Sequence, residues 1–274
     1  MTERPILFST PMIQSLQRSV DPKWQTRRLN GLDDVNEVPD IWELVDVGPL
    51  GYMTKKSARG KYGATFQTRE IVKGVLHICP QVCPYGAVGD RLWGRESHYF
   101  DNLREAMGID DWFMDCTYIA GGPKRYIYEC DAPIETSFKA LATGKRRPGI
   151  HMHRWASRIL LEITEIRVER LRDISVADAI AEGIAPLFDL TDHELPPDIL
   201  EKYKNGPMPW RNYLWHGLVG RGITQKQADA WTYQYSSYDG PIGSYASLWE
   251  SINGPGSWAL NPWVWAVSFR RVER

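Results

Sequence analysis

The chain has 274 residues, of which 43% are hydrophobic and 24% charged, and its formal net charge is −1. A chain of this length can bury a sizeable core, and its composition is that of an ordinary globular protein. The balanced charge excludes a general electrostatic attraction to nucleic acid, so any such binding depends on a local patch. The 12 tryptophans and 13 tyrosines indicate either pocket linings or a core filled by large rings.

Neither end of the sequence indicates a membrane or export signal. There is no apolar run of the roughly 18 residues that a membrane-spanning helix needs. The N-terminal stretch MTERPILFSTPM carries an acidic residue and a proline early and lacks the apolar centre of a signal peptide. We therefore expect a cytoplasmic protein without membrane attachment, and no sequence feature indicates an obligate protein partner.

The four cysteines are Cys79, Cys83, Cys116 and Cys130. The first two form a Cys-x3-Cys pair with His77 nearby, whereas a zinc site commonly has a tighter pair and a second matching pair. In a cytoplasmic chain of this size the expected state is the free thiol. The sequence therefore predicts no metal site and no cofactor.

The first predicted element is a short helix over residues 10–19. Thr10 is a suitable N-cap and Pro11 a suitable first helical residue. Pro22 ends the helix, so the charged stretch DPKWQTRRL lies between this helix and a following turn or strand. The core-facing positions of the helix are Met12, Ile13 and Leu16.

The clearest predicted strand is ASRILLEITEIRVERL. Its apolar residues follow a period of two up to Ile163 and resume with shifted parity at Ile166, which predicts a bulge or bend near Thr164 and Glu165. Upstream, Gly89 and the following aspartate mark a turn before a buried segment that begins with Leu92-Trp93.

Two helices and a terminal strand are predicted in the last third of the chain. Ser175 caps a helix over residues 175–183, with Asp178 three residues on and Gly183 as its stop. A second helix over residues 244–253 ends at Asn253-Gly254, and NPWVWAVSFRRV reads as a strand.

Strands dominate this pattern, with short helices between them. The sequence therefore predicts the α+β class, as a curled β-barrel with flanking helices. We expect one domain over residues 1–274, with large insertions at about 30–75, 100–149 and 185–243.

The order of several segments resembles the ASCH domain family of the PUA-like superfamily, and most closely its phage- and prophage-encoded members. This resemblance implies a PUA-like β-barrel with a cleft, an association with RNA or modified nucleotides, and a bacterial cell as the setting. The matching segments are ILFSTPMIQSL, KWQTRR, CPYGAVGDRLWGRES, GIHMHRWASRILLEITEIRVERLRDIS, ADAIAEGI, LWESINGPGSW and NPWVWAVSFRRV.

Three catalytic residues are implied by the resemblance to small ASCH proteins that hydrolyse N4-acetylcytidine. Relatives have Gly-Arg-Lys-Thr-x-Thr after the first helix; this chain matches at Lys23 and Thr26 but lacks the Gly-Arg pair and the first threonine. Glu182 in AIAEG is the matching acid. The lysine is the expected base, the threonine attacks or orients water, and the glutamate carries a proton. Without the resemblance, DPKWQTRRL reads as a turn with solvated charge.

Further residues are expected to bind the substrate, a modified nucleoside or nucleic acid. If the adjacent residues Arg27 and Arg28 lie on a strand, their side chains point to opposite sides. We then expect one to hold a phosphate or carboxylate and the other to form a surface salt bridge. Glu96, in WGRES, either accepts a hydrogen bond from the exocyclic amine of cytosine or forms a structural ion pair with an arginine. The candidates are Trp24, Arg27, Arg28, Trp93, Arg95, Glu96, Arg154 and Ser157.

Three functions that use the predicted cleft remain open, beside a structural or assembly role in a phage that the resemblance also allows. The first is a metal-independent amidohydrolase acting on N4-acylcytidine or a related modified pyrimidine nucleoside. The second is a PUA-like protein that binds RNA or modified nucleic acid without chemistry, and the third is a ribonuclease using the same cleft. Salt-sensitive binding to oligonucleotides is expected of the second.

Overall fold

The computed structural model describes residues 1–18, 22–51, 58–70, 76–101, 125–128, 147–186, 210–216 and 240–273. These residues form a mixed α+β structure, as predicted. The described strands are β1 (Glu3–Leu7), β2 (Gln25–Arg28), β3 (Trp42–Pro49), β4 (Tyr62–Thr68), β5 (Ile78–Val82), β6 (Arg91–Arg95), β7 (His98–Asp101), β8 (Arg125–Tyr128), β9 (Leu160–Arg170) and β10 (Trp263–Arg271).

The helices between these strands are short. None of those described combines the length and apolar character that crossing a bilayer requires. Single 3-10 turns cover Pro39–Ile41, Gly149–His151, Arg154–Ala156 and Leu171–Asp173. The described α-helices are α1 (Thr10–Leu16), α2 (Asp33–Asn36), α3 (Val176–Ala181), α4 (Tyr213–His216) and α5 (Pro241–Asn253).

The strands that the structure describes are hydrogen-bonded in three sheets. The largest has the order β1-β6-β9-β10-β2, the second has the order β3-β4-β5, and β7 pairs with β8. Among the described strands, no pairing joins β1 to β2, so the predicted barrel is not closed by the residues that the structure describes. The chain divides into two compact units, which share the long strands β9 and β10.

Unit 1 contains Met1–Arg18, Tyr85–Glu165 and Phe269–Arg274. Within it β1 pairs with β6 in parallel, and β6 pairs antiparallel with the start of β9. The rings of Phe8 and Phe269 meet edge to face at 6.2 Å. The buried apolar side chains of this unit include Ile6, Ile13, Leu92, Ile159, Leu161 and Ile163.

Unit 2 contains Ser19–Pro84 and Ile166–Ser268. It holds the three-stranded sheet and the antiparallel pair of β2 with β10, in which Thr26 lies opposite Val267. Its apolar core packs α3 and α5 against β10. The buried residues of this core are Leu171, Ile174, Ala179, Ile184, Tyr245, Trp249 and Val264.

The predicted helices are present with small shifts in their ends. The N-cap of α1 is Ser9 rather than Thr10, and its side chain makes no capping hydrogen bond. Ser175 caps α3 as predicted, because its side chain accepts a hydrogen bond from the backbone N–H of Asp178 at 3.0 Å. Gly183, with φ +86°, ends that helix in the left-handed conformation that glycine tolerates best.

The predicted irregularity in the longest strand is visible in its burial. Ile163 and Ile166 are both buried, whereas Thr164 and Glu165 between them are both exposed. Two consecutive exposed residues shift the inward-facing parity by one position. The boundary between the two units also falls between Glu165 and Ile166.

The predicted insertions contain regular structure where the structure describes them. Residues 30–75 include α2, β3 and β4, although their weak periodicity predicted no element. In β3 half of the residues are exposed and a register shift falls between Leu44 and Asp46, so the apolar alternation is interrupted and was not recognised. Most of the other two segments, at about 100–149 and 185–243, lies outside the described residues.

Candidate functional site

Lys23 lies just before β2 and contacts a residue from the other half of the chain. Its Nζ donates hydrogen bonds to the backbone oxygen of Glu182 at 2.6 Å and to Oε2 of the same residue at 2.8 Å. Both side chains are buried, although 159 positions separate them. The structure therefore brings together two of the three residues expected to be catalytic.

Local structure at the end of α3 presents Glu182 to the lysine. Glu182 is the C-cap of α3, and its N–H donates to the backbone oxygen of Asp178 at 2.9 Å. The segment before β2 is attached to the same helix end, because the N–H of Trp24 donates to the oxygen of Ala181 at 2.9 Å. The lysine and the glutamate are thus held by backbone contacts as well as by their side chains.

Arg27 joins the same cluster from β2. Its Nη1 donates to Oε1 of Glu182 at 3.2 Å and to Oε1 of Gln25 at 3.0 Å. Its Nε donates to Oε1 of Glu169 at 3.0 Å, and Nη2 donates to that oxygen and to Oδ2 of Asp178, the latter at 3.2 Å. The guanidinium is buried and contacts three carboxylates.

Arg167 on β9 completes what we term the ionic network. It donates to Oδ1 of Asp178 at 3.1 Å and to Oε2 of Glu169 at 3.3 Å. The network contains equal numbers of cations and carboxylates, so its formal charges cancel when all are ionised. Its members, all in unit 2, are Lys23, Arg27, Arg167, Glu169, Asp178 and Glu182.

The surroundings of the network shift the protonation of its members. Burial lowers the pKa of Lys23, the neighbouring charge of Glu182 acts in the opposite direction, and the positive charges of Arg28 and Arg27 lower the pKa further. Burial also opposes the ionised form of Asp178, but its hydrogen bond from Arg167 and the charge of Arg27 outweigh it and lower the pKa. The lysine is therefore easier to deprotonate than an exposed one.

Tyr245 of α5 forms one wall of the network. Its ring lies 5.9 Å from the guanidinium carbon of Arg27, within the range of a cation–π contact. Burial, followed by the negative charge of Glu182, raises the pKa of this phenol well above its ordinary value. Tyr245 therefore stays protonated and contributes an aromatic face rather than a charge.

Thr26, the third predicted catalytic residue, lies on the opposite face of β2 from Arg27. Strand geometry alternates the side chains, and the hydrogen bonds follow it: Gln25 accepts from Arg27, whereas Oγ1 of Thr26 accepts from Nε of Arg28 at 3.1 Å. Thr26 is buried and Arg28 is partly exposed. Its predicted role as nucleophile or water-orienting group stays a prediction.

Of the predicted substrate-binding residues in unit 2, two are accessible. The indole of Trp24 is 48% exposed next to buried Lys23. Arg28 is partly exposed, whereas Arg27 is buried in the ionic network. The expected surface salt bridge is wrong for Arg27, because its ion pairs are buried, and anion binding by Arg28 stays a prediction.

The other predicted binding residues lie in unit 1 and form two groups. The guanidinium carbons of Arg95 and Arg154 lie 4.7 Å and 5.9 Å from the ring of Trp93. Glu96 accepts two hydrogen bonds from Arg158, at 3.0 Å and 2.9 Å. This is the structural arginine–glutamate pair that the sequence left open for Glu96.

Ser157 and Arg154 also have intramolecular partners. The hydroxyl of Ser157 is buried and donates to the backbone oxygen of Ile159 at 3.1 Å. Arg154 donates to Oε2 of Glu3 at 2.7 Å from a position where both side chains are more than one-third exposed. Arg154 is therefore the more accessible of the two.

Metal-ligating side chains do not cluster in the part of the chain that the structure describes. Neither Cys79 nor Cys83 is in a disulfide among the described residues, and the amide of Gln81 donates to Sγ of Cys79 at 3.0 Å. Burial raises the pKa of Cys79, so its thiol form is favoured. The other two cysteines, Cys116 and Cys130, lie outside the described residues.

Sequence reasoning missed several members of the network. Arg167 and Glu169 are at alternate positions of β9, on a strand whose apolar pattern was recognised without its polar face. Asp178 was recognised as part of a helix cap but not as a partner of arginine. Tyr245 carried no distinguishing signal, because an aromatic residue on a helix most often belongs to the core.

Comparison with known proteins finds no matching family model, no matching curated protein and no matching solved structure. The function has therefore to be inferred from the geometry of the described residues and from the motifs in the sequence.

Proposed function

We propose that this chain is an amidohydrolase with an ASCH-type, PUA-like fold that removes the acyl group from N4-acylated cytidine or a related modified pyrimidine nucleoside. The single observation that carries the proposal is the 2.8 Å contact between Nζ of Lys23 and Oε2 of Glu182. The motif resemblance selected both residues without reference to each other's position. Their proximity across 159 positions supports a shared role. The proposed setting is the bacterial cytoplasm, with a phage or prophage as the source.

The chemistry requires a base, an acid and a hydroxyl nucleophile. Neutral Lys23 removes the proton from the attacking hydroxyl, which belongs to water or, after a rearrangement that brings its side chain to the lysine, to Thr26. The oxygen then bonds to the acyl carbon, and the carbon–N4 bond breaks as N4 receives a proton relayed by Lys23 and Glu182. With water as nucleophile the products are the carboxylic acid and cytidine; with Thr26, water hydrolyses the acyl-threonine ester in a second step.

Burial of the lysine supports its use as a base. An ammonium group removed from water loses hydration, so its neutral form is favoured relative to that of an exposed lysine. Lys23 is only 1% exposed, so substrate can reach it only when the side chains that cover it move aside. The exposed indole of Trp24 is adjacent in sequence and offers a face on which a pyrimidine can stack.

The test is a chromatographic assay of cytidine release from N4-acetylcytidine by the purified protein. Lys23→Arg is the decisive variant, since it keeps the positive charge beside Glu182 but cannot act as a base near neutral pH. We expect a loss of about 100-fold or more in kcat/KM. Lys61→Met, which removes an exposed lysine from the same unit, is the matched control and should retain full activity.

Two results would contradict the proposal. One is full activity in the Lys23→Arg variant with its fold intact by circular dichroism. The other is the absence of hydrolysis with N4-acetylcytidine, larger N4-acyl cytidines and 5-modified pyrimidine nucleosides. Thr26→Ser and Thr26→Val distinguish the two nucleophiles, because only the former keeps a hydroxyl group.

A second candidate is nucleic-acid binding without chemistry, and a group of side chains in unit 1 favours it. The guanidinium groups of Arg95 and Arg154 lie near the buried ring of Trp93, and the neighbouring Trp155 is 48% exposed and stacked on His153 at 5.9 Å. In the described part of the chain, Nε of Arg95 has no hydrogen-bond partner. Exposed rings next to arginines are typical of surfaces that bind single-stranded nucleic acid.

Fluorescence anisotropy with labelled single-stranded RNA tests this candidate. Binding should weaken steeply as salt rises, and Trp155→Ala and Arg154→Gln should each weaken it at fixed salt. Arg270→Gln is the matched control in the same unit, since its side chain is 63% exposed and pairs with Glu162 at 2.9 Å. Cleavage of the RNA would instead support the ribonuclease alternative, and no binding at low salt would exclude the candidate.

A further inference from the structure

The carboxylate of Glu182 is divided between two cations. Its Oε2 accepts from Lys23, and its Oε1 accepts from Nη1 of Arg27 at 3.2 Å. All three side chains are buried, so solvent does not hydrate the charge that either cation leaves unpaired. The protonation state of the lysine therefore depends on what the arginine does.

We propose that Arg27 is a positioning residue that holds Glu182 as the counter-charge when Lys23 is neutral, and so enables the buried lysine to gain and lose a proton. This inference rests on the proposed function, in which neutral Lys23 is the base. It assigns the arginine no contact with substrate. Its role is carried out through the oxygen of Glu182 that the lysine does not use.

The reason lies in the cost of an unpaired buried charge. In an isolated buried lysine–glutamate pair, loss of the lysine proton leaves a carboxylate without a cation, which is strongly unfavourable. The lysine in such a pair therefore stays protonated and cannot act as a base. A permanently charged guanidinium on the second oxygen removes this penalty, because arginine does not lose its proton near neutral pH.

Other groups hold Arg27 in the position that this role needs. Glu169 and Asp178 contact its Nε and Nη2 edge, and Gln25 accepts from Nη1. The ring of Tyr245 lies against it, uncharged because burial raises the pKa of the phenol. Arg167 also donates hydrogen bonds to Glu169 and Asp178. Because these two carboxylates are partly neutralised by Arg167, Arg27 still interacts strongly with Glu182.

The charges around Lys23 are consistent with a Glu182 carboxylate that is shared between Lys23 and Arg27. Burial lowers its pKa, Glu182 raises it, and the positive charges of Arg28 and Arg27 lower it. Arg27 thus lowers the pKa of Lys23 in two ways. It repels the ammonium form directly, and it competes for the carboxylate that would stabilise that form.

The experiment measures the pKa of Lys23 directly, without substrate, by heteronuclear NMR of protein labelled at the lysine side chains. The Lys23→Arg variant identifies the resonance. In Arg27→Gln we expect an upward shift of the Lys23 pKa relative to wild type, because both effects of the arginine are lost. In Arg27→Lys, which keeps the positive charge, the pKa should stay close to that of wild type.

A second variant predicts a shift of opposite sign and covers the case in which Arg27→Gln does not fold. Glu169→Gln removes a carboxylate whose side chain is 17% exposed, so it disturbs the core less. Arg27 then contributes more of its charge to Glu182, and the Lys23 pKa should fall. An unchanged pKa in either folded variant, or shifts of the same sign in both, would overturn the inference.

Kinetics separate this inference from the proposed function. If N4-acylcytidine is hydrolysed, the limb of the kcat/KM profile that reports deprotonation of Lys23 should move to higher pH in Arg27→Gln and to lower pH in Glu169→Gln. A residue with a merely structural role would lower activity without moving that limb. If no nucleoside is hydrolysed but the NMR shifts occur, the proposed function fails and the role of Arg27 stands.

Discussion

Nζ of Lys23 lies 2.8 Å from Oε2 of Glu182, and the two side chains are buried together. One residue precedes an edge strand of unit 2, and the other caps the C-terminal end of α3. Removing one partner of a buried ion pair strongly destabilises a protein, because the remaining charge is buried without its partner. The relationship therefore has consequences for stability that do not depend on any enzymatic activity.

The first prediction concerns the energetic coupling of this pair. Lys23→Met should destabilise the protein by about 3 kcal/mol, at the low end for a broken buried pair, because Arg27 still contacts Glu182. Glu182→Gln should also be destabilising. The double variant should cost less than the sum of the two singles by about 0.5–3 kcal/mol. Urea unfolding of the four proteins measures this coupling.

An exposed ion pair in the same unit supplies the control. Asp40 is 85% exposed and pairs with Arg170 at 2.7 Å. Asp40→Asn should cost no more than about 1 kcal/mol, because solvent screens such pairs. Additive effects of the Lys23 and Glu182 substitutions would show that the buried contact contributes no coupling.

The second prediction concerns the cap of α3. Ser175→Ala removes the side-chain oxygen that accepts from the N–H of Asp178, and a lost N-cap typically costs about 1 kcal/mol. Ser251→Ala is the control, since Ser251 lies on the exposed face of α5 and its hydroxyl donates to the oxygen of Leu248 within the helix. That change should stay within about 0.5 kcal/mol in the same urea assay. Equal effects would exclude a specific capping contribution.

The third prediction concerns stability in acid. The pKa of Asp178 in the folded state lies below its ordinary value, because its arginine contacts outweigh burial. Its stabilising contribution is therefore fully present above the unfolded-state pKa and is lost as pH falls through the folded-state pKa. Asp178→Asn should flatten the fall in unfolding free energy as the pH decreases below about 4, the unfolded-state pKa of an aspartate.

Arg167→Gln tests the same pH dependence by removing a cation that contacts Asp178. It removes the hydrogen bond from Nη2 of Arg167 to Oδ1 of Asp178, so the folded-state pKa of the carboxyl should rise toward its ordinary value. The acid-induced loss of stability attributable to Asp178 should then shrink. Unfolding free energies measured across that pH range would contradict the prediction if Asp178→Asn left the slope unchanged.

The fourth prediction concerns close packing in the three-stranded sheet. A Cβ at Gly63 on β4 would lie 2.2 Å from the backbone oxygen of Gln81, which real atoms do not tolerate. Gly63→Ala should therefore cost about 1–3 kcal/mol or more, as overpacking in a core does. Gly48 lies opposite it on β3, and a Cβ there would meet its nearest atom, Oδ2 of Asp46, at 3.6 Å.

The comparison of the two alanine variants isolates the clash, since both positions are glycines in paired strands of one sheet. Thermal unfolding should show a lower Tm for Gly63→Ala than for Gly48→Ala. A similar Tm for both would mean that the backbone of β4 or β5 adjusts freely around the added methyl group.

Features that depend on neighbouring residues were predictable from the sequence. The cap at Ser175 and the stop at Gly183 were predicted and are present, and the predicted parity shift near Thr164 and Glu165 is seen in the burial of β9. Each results from backbone conformation or side-chain alternation over a few positions, so a short window contains the information. The N-cap of α1 lies one residue earlier than predicted, at Ser9, whose side chain makes no capping hydrogen bond.

The candidate site was predictable only in part, and the reason is physical. Motif resemblance selected Lys23 and Glu182, but the residues by themselves indicated a solvated charge and a helix-end acid. A lysine is buried only when partners elsewhere in the chain compensate its charge, and those partners have no fixed spacing from it. Arg167 is a network member of this kind, and neither it nor Tyr245, the aromatic wall of the network, left a local signal.

By itself, the sequence determined the α+β class, the cap of α3 and the parity shift in the longest strand, because these follow from local propensity and from the alternation of apolar residues. Only the tertiary structure decided that Lys23 is buried and that Arg27 divides its charge among three carboxylates. Folding brought β2, β9 and α3 together, and the loss of water around their charged side chains makes each protonation state depend on the others.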